Sequence, residues 1–163
     1  MGRENKGCCK KRAGLKSKGF GVMSGDESKM RKKALIINTA SYERVAFALT
    51  LATAFSALGE KVSVLFSYGG ILRLRKGHED EIGEETNSWM KKDSFARKRE
   101  DNLPKISEQL KLLRSFGGKV YACPAAMAFH NLTRDELTDD LDDVRGLVSF
   151  LIEDAKDGML IYV

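Results

Sequence analysis

Three cysteines and two histidines are the side chains of this 163-residue chain best suited to nucleophilic or metal chemistry, and Cys123 is the most informative of them. It follows the short apolar run Lys119 to Ala122 (KVYA) and precedes Pro124. Proline favours the first position of a helix, so Cys123 is expected at the N-cap, directly after a strand. There its sulfur would face the unpaired N–H groups and positive end of a helix, an environment that favours the nucleophilic thiolate over the thiol. The alternative is a small buried hydrophobe, because free cysteine is often purely structural.

The other candidates carry less. No CxxC occurs, so a dithiol mechanism has no resolving partner in the strand-to-helix turn. Cys8 and Cys9 are adjacent and can bind a metal or catch sulfur, but two ligands do not close a zinc site. His130 lies seven residues beyond Cys123; on one helix that is roughly 10 Å along the axis, too far for a Cys–His pair. His78, in the sequence H-E-D, reads as a solvated polar cluster. Gly69-Gly70 is no GxGxxG fingerprint and no GxxxxGK[ST] is present, so dinucleotide and P-loop readings lose their support. No metal or organic cofactor is expected.

These residues need elements to hold them. Lys33 to Thr39 (KALIINT) reads as a buried parallel strand. Ser41 can cap a helix with Glu43 in its first turn, and Val45 to Leu58 is apolar or small throughout until Gly59 ends it. At 14 residues that helix is too short to span a bilayer. Apolar nearly all round, it is expected to be covered on both sides, by the sheet and by another subunit.

Lys61 to Tyr68 (KVSVLFSY) is a second strand, ended by Gly69-Gly70. The charge-dense segment from Ile71 to Asp101 is too long for a structureless loop, so residues 77–101 are expected to form a charged insertion or lid. Ile106, Leu110, Leu113 and Phe116 mark one face of a helix ended by Gly117-Gly118. After the third strand and Cys123, T-R-D-E at Thr133 to Glu136 is a capping box starting a short helix, and a fourth, short strand is expected near Val144. Leu147, Val148, Leu151 and Ile152 mark a further helix, and Met159 to Val163 (MLIYV) reads as a last buried strand. Strands alternating with helices predict a single-domain, three-layer α/β fold with a mostly parallel five-stranded sheet and helices on both faces. Ligands then belong at the carboxyl ends of the strands.

The net charge of +5 suggests nucleic acid until it is divided along the chain. Met1 to Lys33 holds 11 Lys or Arg against 3 Asp or Glu; the remainder holds 17 against 20. Basicity therefore belongs to a tail, residues 1–32, whose Gly, Ser, Lys and Arg show no apolar period and which is expected to be disordered. Any nucleic-acid contact would run through that tail alone. It has no continuous apolar stretch for a signal peptide, and Lys6 stands where a myristoylation motif at Gly2 wants Ser or Thr, so no membrane association is expected. Met23 and Met30, just ahead of the first expected strand, are read as candidate translation starts beside Met1. Few cysteines and no disulfide framework fit a reducing cytoplasm.

The segments N-T-A-S-Y-E-R, A-L-G-E-K-V, F-S-Y-G-G and above all K-V-Y-A-C-P-A-A-M give the chain from Lys33 to Val163 its resemblance to the DsrE/DsrF-like (DsrEFH, TusD-type) sulfur-relay family. The resemblance implies a Rossmann-like or flavodoxin-like fold and a homo-oligomer, trimer or hexamer. It places Cys123 at the family's sulfur-carrying position and implies that the protein holds sulfane sulfur there as a persulfide, between a donor and an acceptor protein. Thr39, Ser41, Tyr68, Gly69 and Gly70 are expected to line the same edge of the sheet as substrate-binding residues. The alternative is a non-catalytic oligomeric subunit with a merely packed Cys123.

Overall fold

The computed structural model describes residues 31–83, 86 and 104–163. The expected tail, up to residue 30, and most of the charged insertion lie outside the described residues.

Five strands, β1 (Lys32–Ile37), β2 (Lys61–Phe66), β3 (Lys119–Ala122), β4 (Asp143–Val144) and β5 (Met159–Tyr162), form one sheet in the order β4-β3-β2-β1-β5. Every pairing is parallel. The helices are α1 (Tyr42–Ala57), α2 (Ile106–Ser115), α3 (Pro124–Phe129) and α4 (Leu147–Phe150), the last continuing as a π-helical turn over Leu151–Ala155.

Side chains alternate across a strand, and two lysines show which helices cover which face. The Lys33 ammonium stands 5.3 Å from the Phe55 ring centroid of α1, so Lys33, Leu35 and Ile37 look toward α1. Lys32 points the other way, its Nζ donating to the Glu153 carbonyl at 2.8 Å. On that second face Ser63 Oγ donates to Asp154 Oδ1 at 2.7 Å, and Tyr121 meets the buried Phe150 edge to face. Arg145 bonds Asp154 at 2.6 Å and lies 4.2 Å from the Tyr121 ring centroid, so the ion pair sits on an aromatic floor. Helices thus cover both faces. The first face is the drier, with Leu35, Ile37, Val64, Phe66, Val120 and Ala122 fully buried beneath α1 and α2. Burial of each large side chain there is worth about 1.5–3 kcal/mol.

Several boundaries differ from the sequence reading. β1 starts at Lys32 and ends at Ile37, and β2 ends at Phe66, because the chain turns at Ser67 into a 3₁₀ helix, Tyr68–Leu74. Ser41 occupies the N-cap of α1 but its side chain makes no cap bond; Thr86 Oγ1 accepts from the Tyr42 N–H at 3.3 Å instead. The capping box at Thr133 is present, yet it starts only a 3₁₀ turn, Arg134–Glu136. The Thr133 N–H and hydroxyl both donate to Glu136 and hold its carboxyl below the ordinary value.

One expectation about burial changes. Within one chain α1 buries Val45, Ala48, Leu49, Ala52 and Ser56 on one side, as expected, and leaves Phe47, with Leu58 at the C-cap, on the side expected to face another subunit. The last strand is not buried: β5 pairs only with β1, at the sheet's edge, and Met159, Leu160 and Tyr162 are exposed. A continuous apolar run reads as an interior strand in sequence, but position in the sheet decides its burial.

Candidate functional site

β3 delivers Cys123 to the carboxyl edge of the sheet. Its last residue, Ala122, is level with Phe66 of β2, and the Cys123 N–H donates to the Phe66 carbonyl at 2.9 Å. The chain then leaves the ladder, with Cys123 extended (φ −79°, ψ 123°) as N-cap and Pro124 opening α3. The Cys123 carbonyl accepts from Met127 N at 3.0 Å, which fixes the first turn. The thiol makes no side-chain cap bond, and none of the hydrogen bonds or ion pairs among the described residues uses it. Cys123 is only 4% exposed and joins the apolar core. His130 is the C-cap of α3, at the far end from Cys123, with its ring against Phe129.

The other sequence-derived residues all fall on the same edge, at different depths. Tyr68 is nearest to α3 by contact: its ring meets Phe129 edge to face at a centroid distance of 5.9 Å, and both rings are mostly exposed. Tyr68 has φ 38°, a left-handed conformation that costs a non-glycine residue of order 1–3 kcal/mol. Gly69 follows it at intermediate burial. Gly70 has a packing reason, since a Cβ there would lie 2.3 Å from the Ile37 carbonyl oxygen. Ser67 N donates to that same oxygen at 2.9 Å, so the end of β1 and the turn after β2 are clamped together.

Thr39 and Ser41 follow β1, two strand positions from β3, which at about 4.8 Å per strand puts them roughly 10 Å from the end of β3. Thr39 Oγ1 accepts from Ser41 N at 3.0 Å, and the Ser41 hydroxyl is buried. The geometry therefore brings Tyr68 next to the cysteine helix, engages Gly70 in the fold and leaves the Ser41 hydroxyl buried without a hydrogen-bond partner among the described residues.

Two residues at this edge escaped the sequence reading. Arg73 is buried; its Nε donates to the Ala40 carbonyl at 2.7 Å, its Nη1 donates to the Glu81 carbonyl, and its guanidinium faces the Tyr42 ring at 5.6 Å. It ties the loop after β1 to the start of the charged insertion. Its signal was an arginine inside the apolar run G-G-I-L-R-L. Phe129 is the second, an aromatic ending a short helix of small side chains.

A cavity of about 320 Å³ beside Arg73 is lined by Ala40, Leu72, Arg75, His78 and Glu81. A larger one, about 490 Å³, lies at the opposite end of the sheet, where Lys32, Lys61 and Lys119 begin their strands. Neither is lined by Cys123, so size alone does not locate the chemistry. Among the described residues no group of three His, Cys, Asp or Glu is placed to hold a metal ion. No helix among them is long and apolar enough to cross a membrane.

Known proteins supply the remaining comparison. No curated protein matches the chain. Among solved structures, MTH1491 of Methanobacterium thermoautotrophicum, described as a protein of unknown function, is similar with a TM-score of 0.59 at 15% identity, covering 82% of this chain and 99% of that one. The ychN protein of E. coli is similar with a TM-score of 0.54 at 12% identity, covering 81% and 99%. At such identities the likeness is one of fold. The sequence model of the DsrE/DsrF-like family matches residues 32–158, a stretch that takes in all of β1, the clamped turn at Gly70 and Cys123 with its helix. The chain belongs to the DsrE/DsrF-like family.

Proposed function

We propose that this protein is a cytoplasmic sulfur carrier of the sulfurtransferase type, which holds sulfane sulfur on Cys123 and relays it to an acceptor thiol. The observation that carries the reading is the placement of Cys123 as N-cap directly after β3, within the stretch that matches the family; the resemblance of K-V-Y-A-C-P-A-A-M is what assigns it the sulfur-carrying role. The first-turn N–H groups of a helix have no partner within it, and they favour an anion at the cap.

The chemistry needs no cofactor. Cys123 thiolate attacks the outer sulfur of a donor hydropersulfide, R–S–SH; the S–S bond breaks, R–S⁻ leaves, and Cys123 becomes Cys–S–SH. An acceptor thiolate then attacks that outer sulfur and Cys123 departs as thiolate. Tyr68, against Phe129 at the other end of α3, is the exposed side chain of this edge that an arriving partner would meet, with Thr39 and Gly69 further along it.

One observation favours a second reading, a non-catalytic oligomeric subunit with a packed Cys123: the residue is buried and belongs to the apolar core. Intact-mass analysis after incubation with polysulfide separates the two. A carrier gains mass in sulfur-atom increments on the Cys123 peptide, and Cys123→Ser abolishes the gain. Sulfur found only on Cys8 or Cys9, or unchanged in Cys123→Ser, refutes the carrier reading.

A further inference from the structure

The outer edge of β5 is open among the described residues. Val163 N donates to the Ile36 carbonyl at 2.9 Å and Val163 O accepts from Asn38 N at 2.8 Å, so both its polar groups face β1. Along a strand these directions alternate. Met159 and Ile161 therefore face β1 as well, whereas the N–H and C=O of Leu160 and Tyr162 point away from the sheet. Nothing among the described residues pairs with them.

Natural edge strands are guarded by lysine, proline or a bulge, and β5 (MLIY) has no charged residue and no proline. Its register with β1 puts Leu160 and Tyr162 level with Ala34 and Ile36, on the face crossed by α4 and its π-helical continuation. There Leu160 is 49% and Tyr162 68% exposed. The helix adds Val148 at 71%, Leu151 at 38% and Ile152 at 61%.

Together these side chains expose on the order of 500 Å² of largely apolar surface, at the upper end for a monomer. A two-fold copy would bury it twice, reaching the roughly 1,000 Å² that a specific interface needs.

We propose that β5 pairs antiparallel with β5 of a second copy across a two-fold axis at Ile161, joining two five-stranded sheets into one of ten. Only an isologous contact presents the same strand to itself, and the outward groups suit it. Leu160 of each copy exchanges two hydrogen bonds with the partner's Tyr162, making four in all. Ile161 then faces the partner's Ile161 in a non-hydrogen-bonded pair about 4.5 Å apart at Cα. The inference stands independently of the sulfur chemistry. A hexamer contains such a two-fold axis, and a trimer does not.

The experiment uses the full chain at about 10 μM. Sedimentation equilibrium should give an even multiple of the 18.1 kDa chain mass, and Leu160→Lys should halve it, weakening association at least about 30-fold, the loss of one central contact. Leu160 is half exposed in the single chain, so the variant should keep its circular dichroism and melting temperature. Air oxidation supplies a readout independent of affinity: Ile161→Cys should form an interchain disulfide mapped to residue 161, whereas Leu160→Cys, opposite the partner's 162, should not. A monomeric or trimeric wild-type mass, an unchanged mass in Leu160→Lys, or no 161-to-161 link overturns the pairing. So does dimerisation that arises only after deletion of residues 1–30, which would make the chain's own tail the occupant of this edge.

Discussion

Tyr42→Phe tests whether the start of α1 is held by the chain that leads into α2. Tyr42 is 2% exposed, and its hydroxyl donates to the Pro104 carbonyl at 2.7 Å. Burial first, then the Asp80 carboxylate, push its pKa from 10.0 up to about 12. The folded phenol thus holds its proton more tightly than the unfolded one. Its stabilisation is complete below pH 10 and lost as pH rises from 10 to 12, a loss on the order of 2–3 kcal/mol. At neutral pH the variant should lose only the hydrogen bond, about 1 kcal/mol. Urea unfolding from pH 8 to 11.5 would show the difference: wild type declines steeply above pH 10, and Tyr42→Phe less so. Tyr121, whose pKa burial also raises, is common to both proteins and cancels in the comparison. Curves that stay parallel from pH 9 to 11.5 would refute the raised pKa of Tyr42.

Gly70→Ala must push the turn after β2 off the Ile37 carbonyl; it should cost about 1–3 kcal/mol by thermal melting and shift the Tyr68 ring from Phe129, seen as a changed near-ultraviolet dichroism. Asp154→Ala leaves the largely buried Arg145 with only the exposed Glu153, 3.2 Å away, and deprives Ser63 of its acceptor, so unfolding free energy should fall by about 2–4 kcal/mol in urea titration. Phe150→Ala removes the ring that fills the second sheet face beside Tyr121 and should cost about 3–5 kcal/mol in the same titration. Deleting residues 1–30 should change stability by no more than about 0.5 kcal/mol, and the cut belongs there because Lys32 already pairs with Lys61 in the sheet.

What the sequence made legible is what local rules determine. Cys123-Pro124 marks a strand-to-helix corner because proline has no N–H to donate and a fixed φ, and the corner stands where those rules put it. Val144 pairs with Ala122 as the short fourth strand. The illegible features depend on residues far apart in sequence. Ser41 has the chemistry of an N-cap, yet Thr86 supplies the bond, a partner 44 residues away that no local pattern selects. Arg73 looks like an interruption of an apolar run until the Ala40 carbonyl, the Glu81 carbonyl and the Tyr42 ring converge on it.

The MLIYV strand shows the same limit from the other side. Hydrophobicity states that a segment needs cover, and the sheet order decides whether the chain supplies it. β5 follows a helix that crosses to the far side of β1, so its outer edge meets nothing among the described residues. Val148 and Ile152, which share the period that would mark a core face, are turned outward because Phe150 and Asp154 take the inward positions against Tyr121 and Ser63. An apolar strand and an apolar helix face left open side by side are consistent with selection for a second chain, since exposed surface of that kind otherwise promotes aggregation.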